Sequence, residues 1–135
     1  LQQIFYGMLD MTYHDKYEPR QANESTTDIL KRLQEEITCF DYMEDTYFQA
    51  GFGHLVGYAA GYYGYLWAKV YAEDMFSLFK KEGILNDETG RSFRKKVLEK
   101  GSSKEEIEIV HDFLGREARY DAFLESIGLQ NDAEY

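Results

Sequence analysis

At 135 residues, with 44% hydrophobic and 16% aromatic side chains, the chain has length for one domain or part of one, and apolar material for a core. Its net charge of -10 argues against nucleic acid and anionic membrane surfaces as partners, because both favour basic patches. The sole cysteine, Cys39, excludes an internal disulfide framework and fits a reducing, cytoplasmic setting; within "EEITCF" it reads as a buried helical thiol.

The expected elements are nearly all helical. "LQQIFYGMLDMTYHDKY" places Ile4, Phe5, Met8, Leu9 and Thr12 at three- and four-residue steps, which predicts a first helix from about Leu1 to Lys16, ending before Pro19. No capping residue precedes Leu1, no signal peptide is visible, and a start in mid-helix predicts a piece of a longer chain. After a polar loop, Thr26 or Thr27 is expected to cap a second helix with Ile29, Leu30, Leu33 and Ile37 on one face. Phe40 to Gly57 mixes aromatics and acids without a period and reads as an irregular connection or short strand. A long helix is expected from about Ala59 or Tyr62 to Glu82, closed by Gly83 as a left-handed C-cap, with Leu66, Val70, Met75, Phe76 and Phe79 as its buried stripe. Phe52 to Ala72 is the most apolar window, but His54, Lys69 and the many tyrosines and glycines argue against a membrane span.

A shorter helix follows, capped near Asn86 or Asp87 and closed by Gly101. "SKEE", from Ser103 to Glu106, has the pattern of a capping box and opens a helix carrying Ile107, Val110 and Phe113. "YDAFLESIGL" predicts a last short helix with Gly128 beyond its end, and "QNDAEY" reads as frayed. The predicted fold class is all-α.

Metal motifs are missing from the sequence. His14, His54 and His111 lie far apart, and HExxH, CxxC and calcium-loop patterns do not occur, so no metal ligand is assigned within the chain. His14 and His111 read as structural residues at or near a helix surface. The chemistry-bearing stretch is "FGHLVGYAAGYYGYLW", Phe52 to Trp67. Tyr58, Tyr62 and Tyr65 fall at i, i+4 and i+7 and would share one face of a helix. A phenol is a neutral donor at pH 7, suited to a carbonyl oxygen that gains negative charge, and His54 could donate to the same ligand. Gly57 and Gly61 would let the loop move or a peptide backbone come close. On composition alone, a tyrosine-rich packing face with its hydroxyls at the surface explains the stretch more economically.

"FGHLVGYAAGYYGYLWAKVYAEDMF" resembles the tyrosine- and glycine-rich segment of the thimet oligopeptidase and oligopeptidase A family of zinc peptidases, which also includes neurolysin, peptidyl-dipeptidase Dcp and mitochondrial intermediate peptidase. "QQIFYGMLDMTYH" is similar to that family's helix downstream of the metal site, "FKKEGILNDETGRSFRKKVLEKGSS" to the segment after the tyrosine helix, and "FLGREARYDAFLESIGL" to its C-terminal signature. The resemblance implies that residues 1–135 are the C-terminal helical part of a catalytic domain in a two-lobed, mostly helical shell around a deep channel for short peptides. It implies that Tyr58 and Tyr65 reach toward substrate and that one or both donate to the scissile carbonyl as it becomes an oxyanion. His54 would contact substrate from the same loop, Gly57 and Gly61 would supply mobility, and Tyr62 would belong to the substrate-binding set. The His54-to-Tyr58 spacing is shorter than in several members, where extra glycines intervene.

The same resemblance implies a zinc cofactor whose HExxH helix and third glutamate ligand lie upstream of Leu1. The partners would then be short peptides and the remainder of the catalytic domain, and residues 1–135 alone are expected to be inactive. A stand-alone helical interaction module and a catalytically dead relative are the two rival readings.

Overall fold

The structure, a computed structural model, describes residues 1–15, 17–19 and 23–129. Its regular elements are α1 (Gln2–His14), α2 (Thr26–Ile37), α3 (Phe48–Gly51), α4 (His54–Gly57), α5 (Gly64–Glu82), α6 (Asp87–Phe93) running into a π-helical turn (Arg94–Leu98), α7 (Glu106–Leu114) and α8 (Asp121–Ser126). No strand forms among the described residues, so the chain is all-α as expected. None of these helices is long and apolar enough to cross a membrane. The chain divides into two compact units, Leu1–Leu66 and Trp67–Tyr135.

In the first unit, α1 and α2 pack on each other through Phe5, Leu9, Ile29, Leu30 and Leu33, with Tyr6, Tyr13, Tyr17, Ile37 and Tyr42 at the margin. Ile4 and Met8, expected on the buried face of α1, are exposed; the helix instead turns Phe5, Gly7, Leu9 and Asp10 inward. The cap of α2 is Ser25 rather than Thr26 or Thr27. Its hydroxyl accepts from the Asp28 backbone N–H, while the Asp28 carboxylate accepts from the Ser25 N–H, a complete capping box. The Ser25 hydroxyl and backbone hydrogen bonds hold the Asp28 carboxyl below the usual range. The Tyr13 hydroxyl donates to the Thr26 carbonyl at 2.6 Å, tying the end of α1 to the start of α2. Partial burial, with Tyr17 adding to it, raises the Tyr13 phenol well above its ordinary pKa.

Two expectations for the connection after α2 are corrected. Cys39 is exposed, because α2 ends at Ile37 and the thiol lies in a bend beyond it. The stretch from Phe40 to Gly57 forms no strand; it carries the single-turn helices α3 and α4. Their aromatic residues pack on α1, with the Phe48 ring stacked on Tyr6 at 5.3 Å and Phe52 at 5.1 Å from it.

In the second unit, Phe79, Phe93 and Phe113 meet with ring centroids 5.4–6.0 Å apart, joining α5, α6 and α7. Of the predicted α5 stripe, Leu66, Val70, Met75 and Phe79 are half-buried and Phe76 is exposed; the buried residue of this helix is Asp74. Gly83 caps α5 in the left-handed region at φ +107°, and Asn86 caps α6 by accepting from the Glu88 and Thr89 N–H groups. The capping box at Ser103 does not form. Helix α7 begins at Glu106 after an extended Glu105 that makes no side-chain cap, and this start turns Ile109, Val110 and Phe113 inward and leaves Ile107 exposed. Gly128 follows α8 with φ +79°. The "QNDAEY" segment and the predicted end of α1 at Lys16 lie outside the described residues.

Asp74 holds the C-terminal segment to α5. Arg116 grips it with both terminal nitrogens at 2.6 and 2.8 Å, and the Arg119 backbone N–H donates to it at 2.7 Å. Burial alone would raise the Asp74 carboxyl, but these hydrogen bonds and the two guanidinium charges outweigh it and hold the group below the usual range. A depressed carboxyl contributes stability that is fully present above its unfolded value and is lost as pH falls through its folded value. The Asp74 contribution is therefore expected to be complete above about pH 4 and to fade below it. Arg116→Ala leaves Asp74 buried without its partner and is expected to cost about 3 kcal/mol, the low end for breaking a buried pair because Arg116 is itself half-exposed. Urea unfolding at pH 7 and at pH 3 checks both points: the gap between wild type and variant should be large at pH 7 and shrink at pH 3.

Candidate functional site

The Phe52–Trp67 stretch does not make one helix. Single-turn α4 ends at Gly57, Tyr58 to Tyr63 form consecutive turns, and α5 starts only at Gly64. The break has a local cause. The Asp10 carboxylate, fully buried on α1, accepts from the Ala60 N–H at 3.1 Å through Oδ1 and from the Tyr62 N–H at 2.9 Å through Oδ2. Ala60 sits in the left-handed region at φ +56°, a conformation that costs an L-residue about 1–2 kcal/mol and is incompatible with continuing a right-handed helix.

The turns nevertheless bring the predicted residues together. Tyr58, Tyr62 and Tyr65 share a cluster built by the loop and not by one helical face. The Tyr65 ring lies 5.1 Å from Tyr62, 6.0 Å from Tyr58 and 5.9 Å from His54, and His54 lies 5.3 Å from Tyr62. Tyr62 is the buried floor at 8% exposure, and its ring packs against Tyr6 and Phe52. Tyr58 and Tyr65, at 50% and 54%, stand above it with His54 also exposed. The Tyr65 hydroxyl and His54 Nε2 are 3.4 Å apart, a long contact that a ligand oxygen could replace. Among the described residues the Tyr58 hydroxyl has no hydrogen-bond partner, and two exposed tyrosines and an exposed imidazole share one patch.

The two glycines differ. A Cβ at Gly61 would lie 2.8 Å from Tyr58 Cε1 and 3.0 Å from its Cδ1 and Cζ, so the bare glycine is what lets the Tyr58 ring fold back over the loop. Gly57 is exposed, and nothing lies within 4 Å of a Cβ added there.

Sequence reading passed over two residues of this site. Asp10 orders the loop, and His14, read as structural, lies at its other end: Nδ1 is 2.8 Å from the Asp10 backbone carbonyl and 3.0 Å from its Oδ1, and Nε2 is 3.0 Å from the Leu55 carbonyl. The available signal was an acid at i+4 from Tyr6 and next to Leu9, in the middle of an otherwise aromatic and aliphatic face.

Zinc is the metal implied by the resemblance. Among the described residues no group of three or more His, Cys, Asp or Glu side chains is gathered to hold a metal ion, and the two histidines nearest the loop are spread between Asp10 and Leu55 on one side and the tyrosine rings on the other. These side chains do not by themselves fit a zinc site.

The fold and the cluster together define an all-helical chain with a loop-borne set of hydrogen-bond donors. Comparison with known proteins makes the assignment specific. The model of peptidase family M3 matches residues 1–129. The chain is 38% identical over 132 residues to oligopeptidase A of Salmonella typhimurium, covering 96% of this chain and 19% of that protein. It is 36% identical over 136 residues to saccharolysin of Saccharomyces cerevisiae (97% and 18%) and 33% identical over 133 residues to the human mitochondrial intermediate peptidase (98% and 18%). The chain belongs to peptidase family M3. It spans about a fifth of the length of these relatives.

Gly61→Ala is expected to swing the Tyr58 ring away from Tyr65 with little effect on folding, because a half-exposed ring gives way more cheaply than backbone. NMR of ring-labelled tyrosine with a thermal melt checks this. Shifted Tyr58 signals at a melting temperature changed by less than about 4 °C, equivalent to about 1 kcal/mol or less, are the expected result.

Proposed function

We propose that this chain is the C-terminal helical part of the catalytic domain of a zinc-dependent oligopeptidase that hydrolyses peptide bonds in short peptides. Tyr65 and Tyr58 donate hydrogen bonds to the scissile carbonyl as negative charge develops on its oxygen, and His54 contacts the substrate beside them. Tyr62 supports the two donors from below. Gly61 provides the space that Tyr58 needs, and Gly57 is a hinge of the same loop. Family membership supports the peptidase reading, and the relatives named oligopeptidase A support short peptides as substrates. The observation that carries the assignment of roles is the pairing of exposed Tyr58 and Tyr65 rings on one patch beside a buried Tyr62.

The chemistry follows from what a phenol is. Neutral at pH 7, it binds a neutral carbonyl weakly and an oxyanion strongly, so its contribution grows along the reaction coordinate. Water activation requires groups beyond those described in this chain, and the zinc ligands are proposed to lie in the remainder of the protein. On this reading residues 1–135 alone are inactive.

In the full-length enzyme, Tyr65→Phe removes one oxyanion donor without changing ring packing, and kcat is expected to fall about 10²-fold with KM little changed. Tyr58→Phe is expected to lower kcat and also raise KM. Steady-state kinetics on a quenched fluorescent peptide measure both. An unchanged kcat in both variants would return the cluster to a packing face.

A further inference from the structure

The geometry points to Asp10, assisted by His14, as the positioning residue that holds the tyrosine loop in its donor-presenting shape. The inference rests on the oxyanion reading of Tyr58 and Tyr65 and adds to it the part of the molecule that sets their aim. Neither Asp10 nor His14 belongs to the tyrosine motif, and both are on α1, about fifty positions earlier in the chain.

Three independent features converge. First, Asp10 is a wholly buried carboxylate whose two oxygens are divided between the Ala60 and Tyr62 N–H groups, so it fixes two points of the turn at once. Second, the residue between Tyr58 and Tyr62 that receives one of these bonds, Ala60, is held at φ +56°, a strained conformation that persists only where surrounding contacts impose it. Third, His14, whose Nδ1 lies beside Asp10, brings Nε2 to 3.0 Å from the Leu55 carbonyl, and with its N–H on Nε2 it holds the loop before Tyr58 as Asp10 holds it after. Charged acceptors form the stronger class of hydrogen bond, which suits an anchor that must hold donors to a fraction of an ångström. Asp10 touches no reacting atom in this scheme; it acts through Tyr58 and Tyr65.

Asp10→Asn is the test, because it keeps shape while setting an amide N–H₂ against one of the two backbone donors. In the full-length enzyme it is expected to lower kcat about 10- to 100-fold with KM moving less than about threefold, the scale of a small misplacement of catalytic groups. The signature that a merely structural residue would not give is coupling. Combined with the Tyr58→Phe/Tyr65→Phe double variant, Asp10→Asn is expected to add under about threefold further loss, since both donors it aims are already gone. His14→Ala, at a half-exposed position, is the second variant should Asp10→Asn fail to fold. It is expected to lower kcat about 3- to 10-fold and to show the same loss of effect in the Tyr58→Phe/Tyr65→Phe background.

Folded variants with wild-type kcat, or losses that multiply in full on top of the Tyr58→Phe/Tyr65→Phe double variant, would overturn the role of Asp10. Tyr65→Phe and Tyr58→Phe measured alone report separately on the oxyanion reading. A loss in those variants with no effect of Asp10→Asn or His14→Ala rejects only the anchor.

Discussion

The shape of the candidate site depends on one buried carboxylate. Asp10 has no exposure to solvent and, among the described residues, no lysine or arginine partner; two backbone N–H groups compensate it, with the His14 ring beside it. A carboxylate buried this deeply is tolerable only if such donors are present. The donors, in turn, are available only because Ala60 and Tyr62 are withheld from a helix. The carboxylate and the turn thus require each other. Without the acid, two backbone N–H groups would be left unsatisfied in the interior, each at about 1–3 kcal/mol, and the simplest alternative is to extend α5 backward. Tyr58 and Tyr62 would then lie along a helix and no longer around a turn.

The rest of the first unit supports this bond. Phe5 and Leu9 bury α1 against α2 and so fix the face from which Asp10 projects. Tyr6, one turn before Asp10, contacts Phe48, Phe52 and Tyr62, giving the loop an aromatic bed on the same helix that supplies its polar anchor. The arrangement leaves the Tyr58 and Tyr65 rings exposed and the Tyr62 ring buried. Tyr62 is buried and fills space, whereas Tyr58 and Tyr65 keep about half of their surface exposed. Three tyrosines of identical chemistry are thus sorted by depth.

Asp74 applies the same device in the second unit, with a different partner. There the buried acid is met by the Arg116 guanidinium as well as a backbone N–H, and it fastens the segment ahead of α8 to α5. The Asp10 contact uses neutral backbone and suits a turn whose N–H groups face the acid. The Asp74 contact uses a bidentate guanidinium and suits a segment that arrives with an arginine side chain but only one N–H in reach.

The helices themselves were legible from the chain. Apolar steps of three and four residues mark α1, α2 and α5, Asn86 and Gly83 act at the ends where their chemistry places them, and the tyrosine–glycine stretch stands out by composition. Local signals failed where several candidates of similar strength lay side by side. Ser25 outcompeted Thr26 because only it has Asp28 three residues ahead, and the Ser103 box lost to a start at Glu106 that turns Ile109, Val110 and Phe113 inward. The i, i+4, i+7 spacing of Tyr58, Tyr62 and Tyr65 foretold their proximity but for a helix that does not form there. Residue types and spacing are local quantities, so the sequence by itself determined which side chains could carry the chemistry and roughly where helices run. Which hydroxyls face solvent, where α5 begins and how the loop turns were decided by a carboxylate fifty residues away, and a contact at that separation exists only once the chain has folded.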